Sequence, residues 1–327
     1  MNELRKTIVN QAVSRVIVDA ESAGQRLDNF LVRILKGVPK SHLYRIVRSG
    51  EVRINGGRVD VSYRISTGDE VRVPPIRLAS SPDLMEKPAI SSRARNIDFP
   101  VLFEDDALVV VNKPAGIAVH GGSGQDFGLI EALREQRPEA RFLELAHRLD
   151  RETSGILLIG KKRSSLKVLH DMFRHGGADK RYLALVAGRW TDAVRDVRIP
   201  LSKYLTEDGE RRVAVGGDEG KFSHTIFRRR SSGDRFSLVE AQLKTGRTHQ
   251  IRVHLAHLGF PIAGDDKYGD FALNRKLTGE GLKRMFLHAW RVRFPHPVSG
   301  QSLTIEAPLP VELDQFLLRL KLDRGVA

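Results

Sequence analysis

The 327 residues carry 54 Lys and Arg against 40 Asp and Glu, a formal charge of +14, and no cysteine. The missing thiols exclude disulfide frameworks, cysteine nucleophiles, iron–sulfur clusters and Cys-ligated zinc. The length and a 41 % hydrophobic content predict about two folded domains, and the basic excess points to a polyanionic partner, nucleic acid or an anionic membrane surface. A merely soluble basic surface is the plainer reading of the same charge.

Met1 to Ser14 holds Arg5 and Lys6 but no apolar stretch of signal-peptide length, and the longest apolar runs, such as 107–111 and 155–160, are strand-sized. A soluble, cytoplasmic protein is expected. The first module spans 18–77. Leu27, Phe30, Leu31, Ile34 and Leu35 recur at helical spacing until Pro39. Ser41 is read as the N-cap of a second helix with Leu43, Ile46 and Val47 on its apolar face, closed by Gly50. The period then changes: Val52 and Ile54 alternate with charged residues, Asn55-Gly56 signals a hairpin turn, and Val71 and Val73 alternate again.

Residues 1–77 hold 14 Lys and Arg against 8 Asp and Glu. Arg33, Lys36, Lys40, Arg45, Arg48 and Arg53 fall around the two helices, where they could hold phosphates or simply form a solvated face. Gly24-Gln-Arg-Leu-Asp-Asn-Phe-Leu31, Ser41 with Arg45-Ile46, Gly50-Glu-Val-Arg-Ile-Asn55 and Gly68-Asp-Glu-Val71 resemble an S4 domain, which implies RNA binding and specifies no activity.

Residues 78–98 shift to Ser, Pro, Ala and mixed charge and read as a linker. The remainder, 99–327, reads as one larger domain. Strands are expected at 107–112, 155–161, 182–188, 236–243 and 302–306, and helices near 127–136, 164–174, 248–258 and 311–321. Without a regular βαβ rhythm, an α+β fold with a largely antiparallel mixed sheet is expected. The glycine run 121–124 lacks the lysine of a P-loop and reads as a mobile loop.

Three segments offer chemistry. In His147-Arg-Leu-Asp-Arg-Glu-Thr-Ser-Gly155, Asp150 lies between two arginines just before an apolar strand. It could serve as nucleophile or general base, while capping the Thr-Ser-Gly turn is the plainer role. In Gly246-Arg-Thr-His-Gln-Ile-Arg-Val-His254, Thr248 is read as an N-cap, and Ile251, Leu255 and Leu258 as an apolar stripe. An arginine from such a helix could pair with a carboxylate. A metal site is discounted: His249 and His254 do not share a helix face, and His254 with His257 makes only two ligands. Tyr182, at the start of a strand behind Lys180 and Arg181, could stack on a base or be an ordinary half-buried strand aromatic.

Together with Asn112-Lys-Pro-Ala-Gly116, the His147–Gly155, Lys180–Val186 and Gly246–His254 segments resemble, in this order, the motifs of RluA-type pseudouridine synthases. The likeness extends over residues 18–320 and is greatest to the group that modifies large-subunit ribosomal RNA. It implies that Asp150 is the catalytic aspartate, that Tyr182 stacks on the target base, that Arg252 pairs with Asp150, and that Arg148 enters the RNA stack where the uridine has left. It further implies an isomerase needing no cofactor or metal, a monomer, and ribosomal RNA as partner. The alternatives are an inactive S4-type RNA-binding or ribosome-assembly protein, or a synthase of the same family acting on other RNA sites.

Overall fold

The computed structural model describes residues 12–20, 22–35, 38–76, 97–121, 127–217 and 220–323. Lys36, nearly all of the expected linker and most of the glycine run lie outside the described residues. The chain divides into two compact units, Met1–Ala89 and Ile90–Ala327. Among the described residues no helix is long and apolar enough to cross a membrane.

In the first unit β1 (Ser14–Ile17), β3 (Glu70–Val73) and β2 (Arg53–Ile54) form an antiparallel sheet in that spatial order, packed with α1 (Leu27–Ile34) and α2 (Lys40–Arg48). The helical stripe Leu27, Phe30, Leu31, Leu43, Ile46 and Val47 is buried with Val52, Ile54, Val71 and Val73. At about 1.5–3 kcal/mol per large apolar side chain, this burial accounts for why so short a module folds. Asn55 and Gly56 both take left-handed backbone, φ 51° and 79°, and Ile54 and Gly57 exchange two hydrogen bonds across them, as a two-residue hairpin turn requires. Ser41 is not the N-cap of α2. Pro39 occupies that position, and its carbonyl accepts from the N–H groups of His42 and Leu43. The helix is entered two residues earlier than expected, behind the fixed φ of the proline, so Ser41 falls inside the first turn.

The second unit is built on one large sheet. Among the described residues ten strands join it: β4 (Val101–Glu104), β5 (Leu108–Lys113), β7 (Ser154–Gly160), β14 (Leu287–Pro295), β8 (Asp179–Ala187), β13 (Phe236–Leu243), β12 (His224–Ser232) and β9 (Val194–Arg198) in spatial order, with β6 (Glu144–Leu145) on β7 and β15 (Ser302–Glu306) on β14. Every pairing is antiparallel except β7 with β14, which run parallel for two residue pairs. The fold is therefore the expected α+β type with a largely antiparallel mixed sheet. A separate ribbon, β10 (Leu201–Leu205) and β11 (Arg211–Val215), stands off this sheet.

Both faces of the sheet are covered, which explains the unbroken apolar runs in β5 and β7. Val109, Val111, Leu157 and Ile159 pack with α3 (Leu129–Gln136) and α5 (Gln250–His257). Leu108, Val110, Ile156 and Leu158 pack with α4 (Arg163–Arg174). Farther along, Leu183, Leu185 and Leu238 pack with α6 (Phe271–Gly279) and α7 (Val311–Arg319).

Candidate active site

The site is assembled where β7 begins. Gly155 sits at φ 112°, and a Cβ there would lie 2.2 Å from the Ala289 carbonyl oxygen of β14. Only glycine allows this close parallel contact, which fixes the chain just after Asp150. The loop before it is tied from below. Lys113, fully buried at the end of β5, donates to the carbonyls of Pro114 (2.9 Å), Ile117 (2.8 Å) and Arg151 (3.0 Å). Burial, with the nearby Arg284 guanidinium, pulls its ammonium down to about 7. Its three acceptors match the three donors of the protonated form. Arg284 in turn donates to Ser154 Oγ at 2.8 Å.

Asp150 does not cap the Thr-Ser-Gly turn with its side chain. Its backbone carbonyl accepts from Thr153 N–H at 3.1 Å, which leaves the carboxylate free to face α5. That face presents Arg252. Its Nη1 stands 3.4 Å from Asp150 Oδ2, while Nε and Nη2 grip Asp265 at 2.7 and 2.6 Å. Nη2 also lies 3.3 Å from Asp266. Burial by itself disfavours both charges of the Arg252–Asp265 pair. Burial raises the Asp265 carboxyl, but the guanidinium and the backbone N–H groups of Lys267 and Tyr268 outweigh it and hold the pKa below the ordinary value. For Arg252 the order is the same: burial works against the cation, and Asp265, Asp150 and Asp266 together keep its pKa raised.

Tyr182 lies in β8 between Ala241 of β13 and Ala289 of β14, so two small side chains leave room beside the ring. It is buried, and burial together with the Asp150 charge pushes its phenol above the ordinary tyrosine range.

Helix α5 does not start as the sequence reading expects. Thr248 is not its N-cap. His249 holds that position in left-handed backbone, φ 53°, and no side chain caps the helix from there. The entry is held instead by Gln250, whose Oε1 accepts from Arg247 N–H and Thr245 Oγ1, and whose Nε2 donates to His224 O and Thr225 Oγ1. This buried amide replaces the hydroxyl cap, so the helix carries polar residues inward as well as Ile251 and Leu255. His254 is likewise buried, with Nε2 2.7 Å from Ser223 Oγ and Nδ1 3.0 Å from Thr225 Oγ1. His249 points to the site: Nε2 is 3.8 Å from Asp150 Oδ2, and Nδ1 is 2.7 Å from the Tyr268 hydroxyl. Among the described residues no group of three or more His, Cys, Asp or Glu is placed to hold a metal ion.

The structure thus brings together Asp150, Tyr182 and Arg252. Arg148 is exposed and has no carboxylate partner among the described residues. In the first unit Arg33, Lys40, Arg45 and Arg48 are all exposed. Arg33 bonds Ser22 Oγ at 2.5 Å and lies over the Phe30 ring, and Arg45 lies 3.3 Å from His42 Nδ1. Asp265, Tyr268 and Lys113 were given no role by sequence reasoning, and His249 was weighed only as a ligand. A signal for the first two existed in Gly264-Asp-Asp-Lys-Tyr-Gly269, where two glycines bracket three charges and an aromatic.

Residues 107–257 match the family model described as RNA pseudouridylate synthase, and residues 25–71 match the S4 domain. The chain is 51 % identical over 317 residues to "Ribosomal large subunit pseudouridine synthase C" of Yersinia pestis, covering 97 % of this chain and 98 % of that one. It is 51 % identical over 312 residues to the protein of that name from Escherichia coli K12, covering 95 % and 97 %. Among solved structures, human RNA Pseudouridylate Synthase Domain Containing 4 superposes with a TM-score of 0.57 at 27 % identity, over 68 % of this chain and 93 % of that one. With a family motif set, two near-full-length relatives and the same catalytic-domain fold in agreement, the chain belongs to the RNA pseudouridylate synthase family and is a pseudouridine synthase with an S4 domain.

Proposed function

We propose that Asp150 is the carboxylate that acts on a uridine flipped out of large-subunit ribosomal RNA, with Tyr182 stacked on the base and Arg252 paired to the carboxylate. One observation carries this reading: Arg252 and Asp150, 102 residues apart, meet at 3.4 Å in a pocket of charge that also acts on Tyr182. The reaction breaks the uridine N1–C1′ bond, turns the uracil and joins C5 to C1′. A proton leaves C5 and one is returned to N1, so atoms and electrons balance within an isomerisation. A carboxylate oriented by a guanidinium suits attack on the nucleotide, and a partly exposed one can be reached by it. Extruding the base costs a few kcal/mol. Stacking on Tyr182, about 1–3 kcal/mol, and phosphate contacts offset this.

Arg148, exposed beside Asp150 in the same loop, suits the gap left in the RNA stack. Arg33, Lys40, Arg45 and Arg48 suit phosphate contacts that position the RNA without reading its sequence; Lys36 belongs to the same proposal by sequence alone. The names of the relatives support large-subunit ribosomal RNA as substrate. The proposal further takes that RNA as free or in assembling particles, and the enzyme as a monomer in the cytoplasm. Pseudouridine-specific chemical mapping of total RNA from a deletion strain tests the substrate. Loss of modification in the large-subunit RNA, restored by the gene, is expected; losses confined to another RNA would overturn it.

A further inference from the structure

We propose that His249 is a positioning residue for Asp150, held by Tyr268 as a neutral imidazole whose Nε2–H faces the carboxylate. The argument starts at the Tyr268 hydroxyl. It accepts from Val213 N–H of the β10–β11 ribbon at 3.0 Å, so its own proton is available for one partner. That partner is His249 Nδ1 at 2.7 Å. With Nδ1 an acceptor, the imidazole proton of the neutral ring belongs on Nε2, the nitrogen 3.8 Å from Asp150 Oδ2.

The backbone supports a purpose for this placement. A β-carbon-bearing residue at φ 53° is unfavourable, and here it turns the ring back over the start of α5 toward Asp150. Tyr268 serves both donors, because the Arg252 guanidinium lies 5.1 Å from its ring centroid while its hydroxyl fixes His249. The hydroxyl is itself anchored by the ribbon, whose Val213 packs with Val253 of α5 and Tyr268. Charged and titratable groups face His249 from every side: Asp150 from the β6–β7 loop, Arg252 from its own helix, and Asp265, Lys267 and Tyr268 from the loop after α5, with Tyr204 of the ribbon beyond Tyr268. Burial lowers the His249 pKa, Asp150 opposes this, and Arg252 and Lys267 add to it, which keeps the ring neutral.

Both donors address the same oxygen. Arg252 Nη1 and His249 Nε2 converge on Oδ2, and among the described residues no hydrogen bond reaches Oδ1. The pair therefore fixes which oxygen of Asp150 is presented to the uridine. The 3.4 and 3.8 Å separations are loose and suit contacts that tighten when substrate is bound. A neutral donor orients the carboxylate without the second full charge that would quench it. The inference rests on Asp150 being the reacting carboxylate.

The test is the pH profile of kcat/KM for pseudouridine formation in a ribosomal RNA transcript, using the full chain. Tyr268→Phe removes the donor to Nδ1, which then becomes free to accept a proton, so the His249 pKa should rise from its wild-type value while burial, Arg252 and Lys267 still hold it down. The acid limb of the variant's profile is expected to shift to higher pH than in the wild type, so that it loses activity between about pH 8 and pH 6 where the wild type does not. Adding His249→Gln, which keeps a neutral donor that cannot titrate, should remove that limb. His249→Leu should lower kcat about tenfold or more with KM nearly unchanged, and His249→Gln should recover part of it. A Tyr268→Phe profile parallel to the wild type, or a limb that persists in the double variant, would overturn the proposal. Asp150→Asn separates the two readings: full activity there removes the premise, whereas an inactive Asp150→Asn with a parallel Tyr268→Phe profile removes only the role of His249.

Discussion

Arg252 grips Asp265 with two hydrogen bonds of 2.7 and 2.6 Å and reaches Asp150 with one of 3.4 Å. The short pair is fully buried, while the Asp150 side chain keeps 28 % of its exposure. The guanidinium is thus anchored by one carboxylate and lent to the other. Its planar fork makes this division possible, since Nε and Nη2 serve Asp265 and Nη1 remains for Asp150. A lysine could not divide its contacts in this geometry.

Asp265→Asn should therefore damage both stability and activity. The substitution leaves Arg252 buried with a neutral anchor, a loss of about 3–5 kcal/mol in denaturant unfolding. Freed from its grip, the guanidinium should close fully on Asp150 and lower kcat at least tenfold. Unchanged kcat with a large stability loss would show that Asp265 serves the fold alone.

Gly155→Ala tests how the Asp150 loop is held. A methyl group 2.2 Å from the Ala289 carbonyl oxygen, on a backbone at φ 112°, must push β7 from β14. A cost of about 2–5 kcal/mol is expected from clash and strain together, read by urea unfolding. Pseudouridine formation should fall even under conditions where the variant is folded.

Much of this was legible in the sequence, and the exceptions have physical causes. Runs such as Leu108–Val111 and Ile156–Ile159 declare buried strands because both faces of the sheet are covered. In β14, a bulge between Ala289 and Arg291 breaks the alternation that would have revealed the strand. In β12, Arg228 is paired with Gln242 and Arg230 with Glu240, so a polar-looking run lies within the sheet. The motifs singled out Asp150, Tyr182 and Arg252, but nothing local to Arg252 names its anchor 13 residues away. The start of α5 misled for a similar reason. Thr248 has the chemistry of a cap, yet the buried amide of Gln250 takes over the entry and allows His249 its left-handed turn.

Two internal histidines predict acid sensitivity. Burial pulls His254 and His288 down to about 4. Below the unfolded value of about 6.5 the unfolded chain binds protons that the folded chain refuses, so stability falls as pH drops from 6.5 toward 4. Each group contributes up to about 1.4 kcal/mol per pH unit across that window. Urea midpoints between pH 7.5 and 5 should show the slope, and His254→Gln should make it shallower. A midpoint independent of pH in that range would contradict the prediction.

The central claim is that the Asp150 carboxylate performs the reaction, and Asp150→Asn tests it most directly. The amide preserves size and the turn made by the backbone carbonyl but removes the charge that Arg252 and His249 face. Pseudouridine formation in large-subunit ribosomal RNA should fall below detection while affinity for that RNA stays within about threefold of the wild type. Pseudouridine formation at near wild-type rate by the purified variant would contradict the account.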